Sequence, residues 1–345
     1  MYNSLSVTTV FPKLFTTFLY LWSFFTAIYQ IKWINYTFMI TMLWSLYLIG
    51  YYAYVQAFMV GPGSPSDFPE LRVNSIEAAE AGTEFPPEYL SQKSITLKHD
   101  GRARVCRTCL VWKPDRCHHC SSCDRCILKM DHHCPWFAEC IGFKNHKYFI
   151  NFLIYNSLYA TFVCLISSKE LWNWFSQEKY VTELINIHLL LLFIVSLITS
   201  VSMTLFTAYS IYQVLINRTT IELYAYRRYK EELEILQDTT TTYNSQSNRP
   251  LPTDNVFDLG SYKLNWCETM GTTWKEWLLP VQTNKYIKSR HTSDEKGLYF
   301  NINRKVASQL QESAILQDRL LRRVTPRSSR DYSQLSQRED LVRTT

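Results

Sequence analysis

Between Cys106 and Cys140 the chain concentrates eight of its ten cysteines and four of its eight histidines, which constrains the fold more than any other feature. The order is Cys106-x2-Cys109, then Cys117-His118-His119-Cys120-x2-Cys123-x2-Cys126, then Asp131-His132-His133-Cys134, closing at Cys140. Thiolate and imidazole are the ligands zinc prefers, and short loops let two neighbours chelate one tetrahedral ion. Disulfides need an oxidising compartment and leave the interleaved histidines unexplained. Two closed tetrahedral sites consume eight ligands, whereas this stretch offers eight cysteines and four histidines. Four residues are therefore left over, and spacing alone does not say which four.

The rest of the chain points to a membrane. Its 345 residues are 47% hydrophobic, and the apolar residues gather into long segments beside a polar tail. Leu14 to Ile31 and Thr37 to Val60 carry no charge, and each reaches the roughly 20 residues that span hydrocarbon. A second span follows the first within a few residues, so the first reads as a retained span and not as a cleaved signal. Phe149 to Ile166 is the expected third span and Leu184 to Ile216 the fourth. Lys and Arg cluster in 61–148 and 217–345. That distribution fits the positive-inside rule better than nucleic-acid binding, which a formal charge of +6 would otherwise suggest. Both termini and the cysteine-rich stretch are then cytosolic, where thiols stay reduced.

The stretch from Cys106 to Cys140 resembles the cysteine-rich domain of the DHHC protein S-acyltransferases, the palmitoyltransferases. That resemblance implies one zinc on Cys106, Cys109, His119 and Cys126, and a second on Cys120, Cys123, His133 and Cys140. It makes Cys134 the nucleophile and His132 the general base. The chemistry is consistent with this division, because a thiolate in a closed zinc shell is structurally committed while a nucleophile belongs outside it. Asp131 can fix the tautomer and orientation of His132, as in other Cys-His-acid arrangements.

The resemblance extends along the chain. Lys113-Pro114-Asp115-Arg116 matches a basic turn that the family uses for acyl-CoA, so Lys113 and Arg116 are expected phosphate contacts, with solvated surface charge as the alternative. Gly61-Pro62-Gly63 stands where the family often has Asp-Pro-Gly. Thr219-Thr220-Ile221-Glu222 matches a Thr-Thr-x-Glu motif, implying that Thr220 approaches Asp131 and that Glu222 ties the following helix to the cytosolic domain. Asn255 to Trp266 resembles a C-terminal motif in which Asn265 satisfies buried backbone and Phe257 packs on the core. Trp274, Trp277 and Leu278 suit either a bilayer surface or a small local core. Residues 238–253 read as a linker, and beyond Lys285 a charged, Ser/Arg-rich tail is expected to be disordered.

Phe149, Phe152, Asn156 and Tyr159 share one face of the third span. Phe149, Phe152 and Tyr159, with Trp136, are the expected contacts of the acyl chain. Family members resembling this one stop the chain at the position of Tyr159 with help from the first span. Gly61 to Pro65, Asp67-Phe68-Pro69 and Asp294 to Phe300 resemble the fungal vacuolar branch of the family. They imply a vacuole-membrane location and a myristoylated armadillo-repeat protein as one substrate.

The expected fold is an α-helical polytopic membrane protein with four transmembrane helices and a cytosolic zinc-binding cysteine-rich domain between spans 2 and 3. Its parts are spans 1 and 2 (1–60), the zinc domain (61–148), spans 3 and 4 (149–216), a cytosolic motif region (217–284) and the tail (285–345). The expected activity is transfer of palmitate or a similar acyl group from acyl-CoA to cysteines of cytosolic, membrane-associated proteins, with two structural zinc ions and no nucleic-acid partner. A membrane-anchored zinc interaction module needs no free nucleophile and is the main rival. A transporter fits poorly, because the spans lack repeats and intramembrane charge, His188 coming nearest.

Overall fold

The protein, a computed structural model, is described at residues 7–96, 102–181, 183–228, 231, 255–281, 297–303 and 306. Among these, three helices are long and apolar enough to cross a membrane: α2 (Tyr36–Val60), α5 (His146–Ser176) and α6 (Ile187–Leu215). The N-terminal helix α1 (Val7–Gln30) has 24 residues, or about 36 Å at 1.5 Å per residue. It matches the others in length, while Lys13 and its tyrosines and threonines dilute its apolar character.

Local signals set the helix ends. The Asn35 side chain accepts from Phe38 N to start α2, and the Asn186 side chain accepts from His188 N to start α6. Helix α2 stops at Gly61, whose φ of 66° and following Pro62 forbid another turn. Helix α5 runs ten residues past Ile166, the expected end of the third span. Hydropathy marks where lipid ends, and Lys169 and Glu170 continue a helix well in water.

Helix α5 is central, packing on α2 and α6, while α1 lies against all three. The core between them is aromatic and aliphatic, built on Met39, Leu43, Tyr54, Phe149, Phe152 and Leu192. Asn145, fully buried, ties the membrane bundle to the domain above it. Its amide donates to Ala57 O at the end of α2 and to Cys140 O, while its oxygen accepts from Gly142 N.

The chain between α2 and α5 holds two short helices, α3 (Ile76–Ala81) and α4 (Glu88–Lys93), and three small antiparallel hairpins. These are β1 (Val105–Cys106) with β2 (Val111–Trp112), β3 (His118–Cys120) with β4 (Arg125–Ile127), and β5 (His132–Cys134) with β6 (Glu139–Ile141). Strands of two or three residues do not hold together alone. They are close to a scaffold for metal ligands.

After α6 the chain turns at Asn217 into α7 (220–228), and α8 (Tyr262–Met270) and α9 (Trp274–Leu278) complete the described C-terminal region. The linker expected at 238–253 lies outside the described residues, as does most of the tail. The expectation of disorder beyond Lys285 is corrected at 297–303, where Leu298 and Phe300 are buried against the zinc domain and the C-terminal motif. Three consecutive apolar or aromatic residues suffice to anchor a short segment that is otherwise polar.

Candidate active site

The hairpins repeat. Cys106, Cys120 and Cys134 are spaced evenly, as are Cys109, Cys123 and Phe137. So are Leu110, Asp124 and Ala138, which all adopt the left-handed backbone, with φ of 53°, 48° and 47°. Each hairpin thus presents a knuckle at its turn, and the second and third carry a ligand pair lower on their strands.

The knuckle of one hairpin meets the pair of the next. Cys106 and Cys109 meet His119 and Cys126, which are direct partners across β3 and β4. Cys120 and Cys123 meet His133 and Cys140, partners across β5 and β6. In each group the four ligating atoms lie within 4.8 Å of one another. Three thiolates and an imidazole at that separation suit tetrahedral zinc. Adjacent strand residues face opposite ways, which is why His119 serves the preceding group and Cys120 the following one.

The third knuckle has no successor. Cys134 occupies the position of the ligands Cys106 and Cys120, but its partner position holds Phe137, an almost fully buried aromatic ring. Cys134 belongs to neither metal group. Of the other residues left over by ligand counting, Cys117 is buried beside the first group. Burial, reinforced by Arg104, holds the His118 imidazole down at about 4, so it is neutral.

Cys134 and Phe137 face a cavity of about 430 Å³ that descends between α1, α5 and α6. Trp136, Phe149, Phe152 and Tyr159 line it with Asn156, so the face expected on the third span is the cavity wall. Partway down, one turn above Val163, which also lines it, the Tyr159 hydroxyl lies 3.0 Å from Ser23 Oγ of α1. One turn nearer the mouth, the Tyr20 hydroxyl donates to Asn156 Oδ1 at 2.7 Å. Both contacts cross between α1 and α5.

Beside the mouth, His132 Nδ1 lies 2.7 Å from Asp131 Oδ2. The buried Asp131 carboxylate also accepts from Thr220 N at 2.7 Å and from Thr220 Oγ1 at 3.2 Å. Burial pushes this carboxyl up, but hydrogen bonding from His132, nearby positive charge and the Thr220 amide outweigh it and hold it well below the usual carboxylate range. Burial lowers the His132 imidazole in turn, and hydrogen bonds with Asp131 and Cys134 reverse that and raise it to about 9. With Nδ1 engaged by the carboxylate, Nε2 is left for the thiol. The His132 ring stands edge-on to Phe149, its centroid 5.2 Å away, at the upper end of the cavity wall.

Arg116 requires a correction. Expected as a phosphate contact, it is buried, and its guanidinium is fully engaged. Nε and Nη2 donate to the two oxygens of Glu222 at 2.7 and 2.8 Å, and Nη1 and Nη2 donate to Asn217 Oδ1 and O. Glu222 does tie α7 to the zinc domain, through this residue. Asp115 is also buried, accepting from Ser94 Oγ, Ile95 N and Thr96 N. Only the half-buried Lys113 of that basic turn retains access to solvent. Asn265, fully buried, accepts from Leu259 N and donates to Leu215 O and Asp258 Oδ1.

Sequence reasoning missed the hairpin repeat, although the even spacing of Cys106, Cys120 and Cys134 carries it. It also missed Tyr20, Ser23 and the α6 residues that line the cavity, because nothing in the sequence pairs one span with another.

A family model described as DHHC palmitoyltransferase matches residues 99–227. The chain is 50% identical over 97% of its length to Palmitoyltransferase PFA3 of Saccharomyces cerevisiae, covering 98% of that protein. It is 47% identical over 93% of its length to Palmitoyltransferase PFA3 of Candida glabrata, covering 95% of it. To Palmitoyltransferase ZDHHC2 of Danio rerio it is 37% identical over 54% of its length, covering 46% of that protein.

Proposed function

We propose, on the premise that this chain belongs to the DHHC palmitoyltransferase family, that its protein S-palmitoylation runs through an acyl-enzyme on Cys134, with His132 as base and Asp131 as the residue that orients it. The observation that carries this reading is the position of Cys134. It lies outside both metal groups, beside a carboxylate-anchored imidazole, at the mouth of an apolar cavity.

In the first step His132 Nε2 takes the Cys134 proton and the thiolate attacks the thioester carbonyl of acyl-CoA. The bond to the CoA sulfur breaks, and the leaving thiolate takes the proton back from His132. In the second step a substrate cysteine gives its proton to His132 and attacks the Cys134 thioester, which returns Cys134 and leaves the acyl chain on the substrate. The acyl chain occupies the cavity along Phe149 and Phe152 toward Tyr159, with Trp136 at its entrance. Lys113, half-buried and open to solvent, meets the CoA phosphates. Zinc, when bound by the two Cys3His groups, fixes the loops that carry His132 and Cys134.

In the same reading α1 is the first of four spans, so both termini and the parts assigned to 61–148 and 217–345 are cytosolic. The resemblance to the fungal vacuolar branch supports a vacuole-membrane location and a myristoylated armadillo-repeat protein among the substrates. The experiment is incubation of the purified protein with labelled palmitoyl-CoA and mapping of the thioester. Label on Cys134 that vanishes in Cys134→Ala is expected. A zinc-loaded wild-type protein that takes up no label at Cys134 would instead indicate an interaction module.

A further inference from the structure

We propose that Tyr54, on α2, is a positioning residue for acylation of Cys134: its hydroxyl and ring hold the turn after the nucleophile, which a second metal ligand secures in the two preceding hairpins. The inference rests on the reading of Cys134 as nucleophile and concerns a helix that the zinc domain follows in the chain.

The third turn lacks the tie that secures the other two. Cys106 and Cys109 both belong to the first metal group, and Cys120 and Cys123 both belong to the second. One ion can therefore pin each of those turns at both ends. The corresponding stretch, Cys134-Pro135-Trp136-Phe137, carries a ring where the second thiol would stand. Within itself this turn is closed by Phe137 N, which donates to Cys134 O at 3.2 Å, and by Ala138 N, which donates to Pro135 O at 3.1 Å. The second metal group reaches β5 through His133, on the near side of the thiol. The far side needs another support.

Tyr54 supplies it. The residue lies six positions before the end of α2, about 9 Å along the helix, and its hydroxyl donates to Trp136 O at 2.8 Å. Its ring is 4.9 Å from that of Phe137, nearer than Phe152 at 5.1 Å or Phe149 at 5.9 Å. One side chain from another element thus grips both the backbone and the ring of the turn. The Tyr54 ring is itself confined, with Phe152 and Phe58 each 5.4 Å away and Lys13 of α1 over the Phe58 ring at 4.5 Å. At 1% exposure a phenol directs its hydroxyl to a protein partner. That partner is a carbonyl two residues from the nucleophile.

Tyr54 does not line the acyl cavity. Removing its hydroxyl therefore leaves the path of the acyl chain as it is and loosens the turn that carries the thiol. Attack on a bound thioester is steep in the placement of the attacking atom, so the chemical step should slow while acyl-CoA binding is spared.

The test uses the full chain carrying Tyr54→Phe, which removes the hydroxyl and keeps the ring, and Tyr54→Leu, which removes both. Tyr51→Phe serves as the control, because it removes a hydroxyl of the same helix that pairs with Thr17 of α1. Bound zinc, the KM for palmitoyl-CoA, the single-turnover rate of Cys134 acylation and the rate of iodoacetamide alkylation, read on the Cys134 peptide, are measured on each. Tyr54→Phe is expected to keep zinc, KM and alkylation and to acylate about tenfold more slowly, the scale of one hydrogen bond. Tyr54→Leu should be slower still, and Tyr51→Phe should match wild type. A wild-type acylation rate in Tyr54→Phe, or an equal loss in Tyr51→Phe, would overturn the proposal. So would an equal loss of alkylation, which would place the effect on the reactivity of the thiol and not on its position. A wild-type chain that never labels at Cys134 would instead remove the reading beneath it.

Discussion

Shortening Tyr159 should lengthen the acyl chain that the enzyme prefers. Tyr159 lies ten residues beyond Phe149 on α5, about 15 Å deeper along the helix. Its ring packs 5.5 Å from that of Tyr20, and its hydroxyl meets Ser23, so the phenol bridges α5 to α1 across the cavity, which continues past it to Val163. Tyr159→Ala removes the ring and opens space for roughly two more methylenes. A buried CH2 is worth about 0.8 kcal/mol, so two contribute about 1.6 kcal/mol. That amounts to a swing of about fifteenfold in relative kcat/KM toward an 18-carbon over a 16-carbon chain. The figure is an upper bound, because the unpaired Ser23 hydroxyl and partial collapse of α1 both subtract from it. The assay is competition between palmitoyl-CoA and stearoyl-CoA for Cys134, read by mass spectrometry of the acylated peptide. Full activity with an unchanged ratio would show that Tyr159 only packs between helices.

Other outcomes follow from the metal groups and the charge network. Cys134→Ser should retain both zincs and lose all hydroxylamine-sensitive label, since Cys134 stands outside both groups; loss of zinc with retention of label would reverse the assignment. Cys120→Ala or His133→Ala should release metal and render the zinc domain protease-sensitive, because structural zinc binding is itself folding free energy; normal metal content in both would mean the ligands lie elsewhere. Asp131→Asn keeps the volume but weakens the grip on His132 Nδ1. Acylation should fall by at least about a hundredfold, the lower range for general-base catalysis, and a rate within a factor of a few of wild type would remove Asp131 from the mechanism. Glu222→Gln leaves the Arg116 guanidinium buried without its anion; a destabilisation of about 3 kcal/mol, read as a lowered denaturation midpoint, is expected, and an unchanged midpoint would contradict the burial argument.

What could be read from the sequence was whatever depends on neighbours. Chelating knuckles and ligand pairs lie close in the chain, so the family's pattern transferred onto two groups whose atoms meet in space. The spans are continuous apolar runs and need no partner to be recognised, except that α1 is diluted by polar and aromatic side chains. Arg116 misled because a basic residue in a turn beside Lys113 looks solvated. Its partner Glu222 is 106 residues away in sequence, and no local pattern announces such a pair. The segment 297–303 misled for the opposite reason, since Leu298 and Phe300 sit among charges and their burial depends on a surface assembled from distant parts.

On the proposed reading of Cys134, the hairpin repeat is how a metal scaffold yields a nucleophile. In the first two hairpins the knuckle needs a second cysteine, at Cys109 and Cys123, because two ligands from one turn must meet two from the next. Beyond the third hairpin the chain enters α5, so no further ligand pair exists to complete a site. A second cysteine at the position of Phe137 would leave a two-ligand knuckle with no closing pair. An aromatic ring there instead packs against Phe149 and Phe152, with centroids 5.9 and 5.1 Å away, and forms the upper wall of the cavity. The same strand alternation that turns His133 back toward zinc turns Cys134 forward to that wall. The thiol thus stands on the same strand as the ligand His133 while lying outside both metal groups. The geometry implies that rigidity at Cys134 comes from the zinc bound by its neighbour, so metal loss at the second group should slow acylation even where Cys134 itself is untouched.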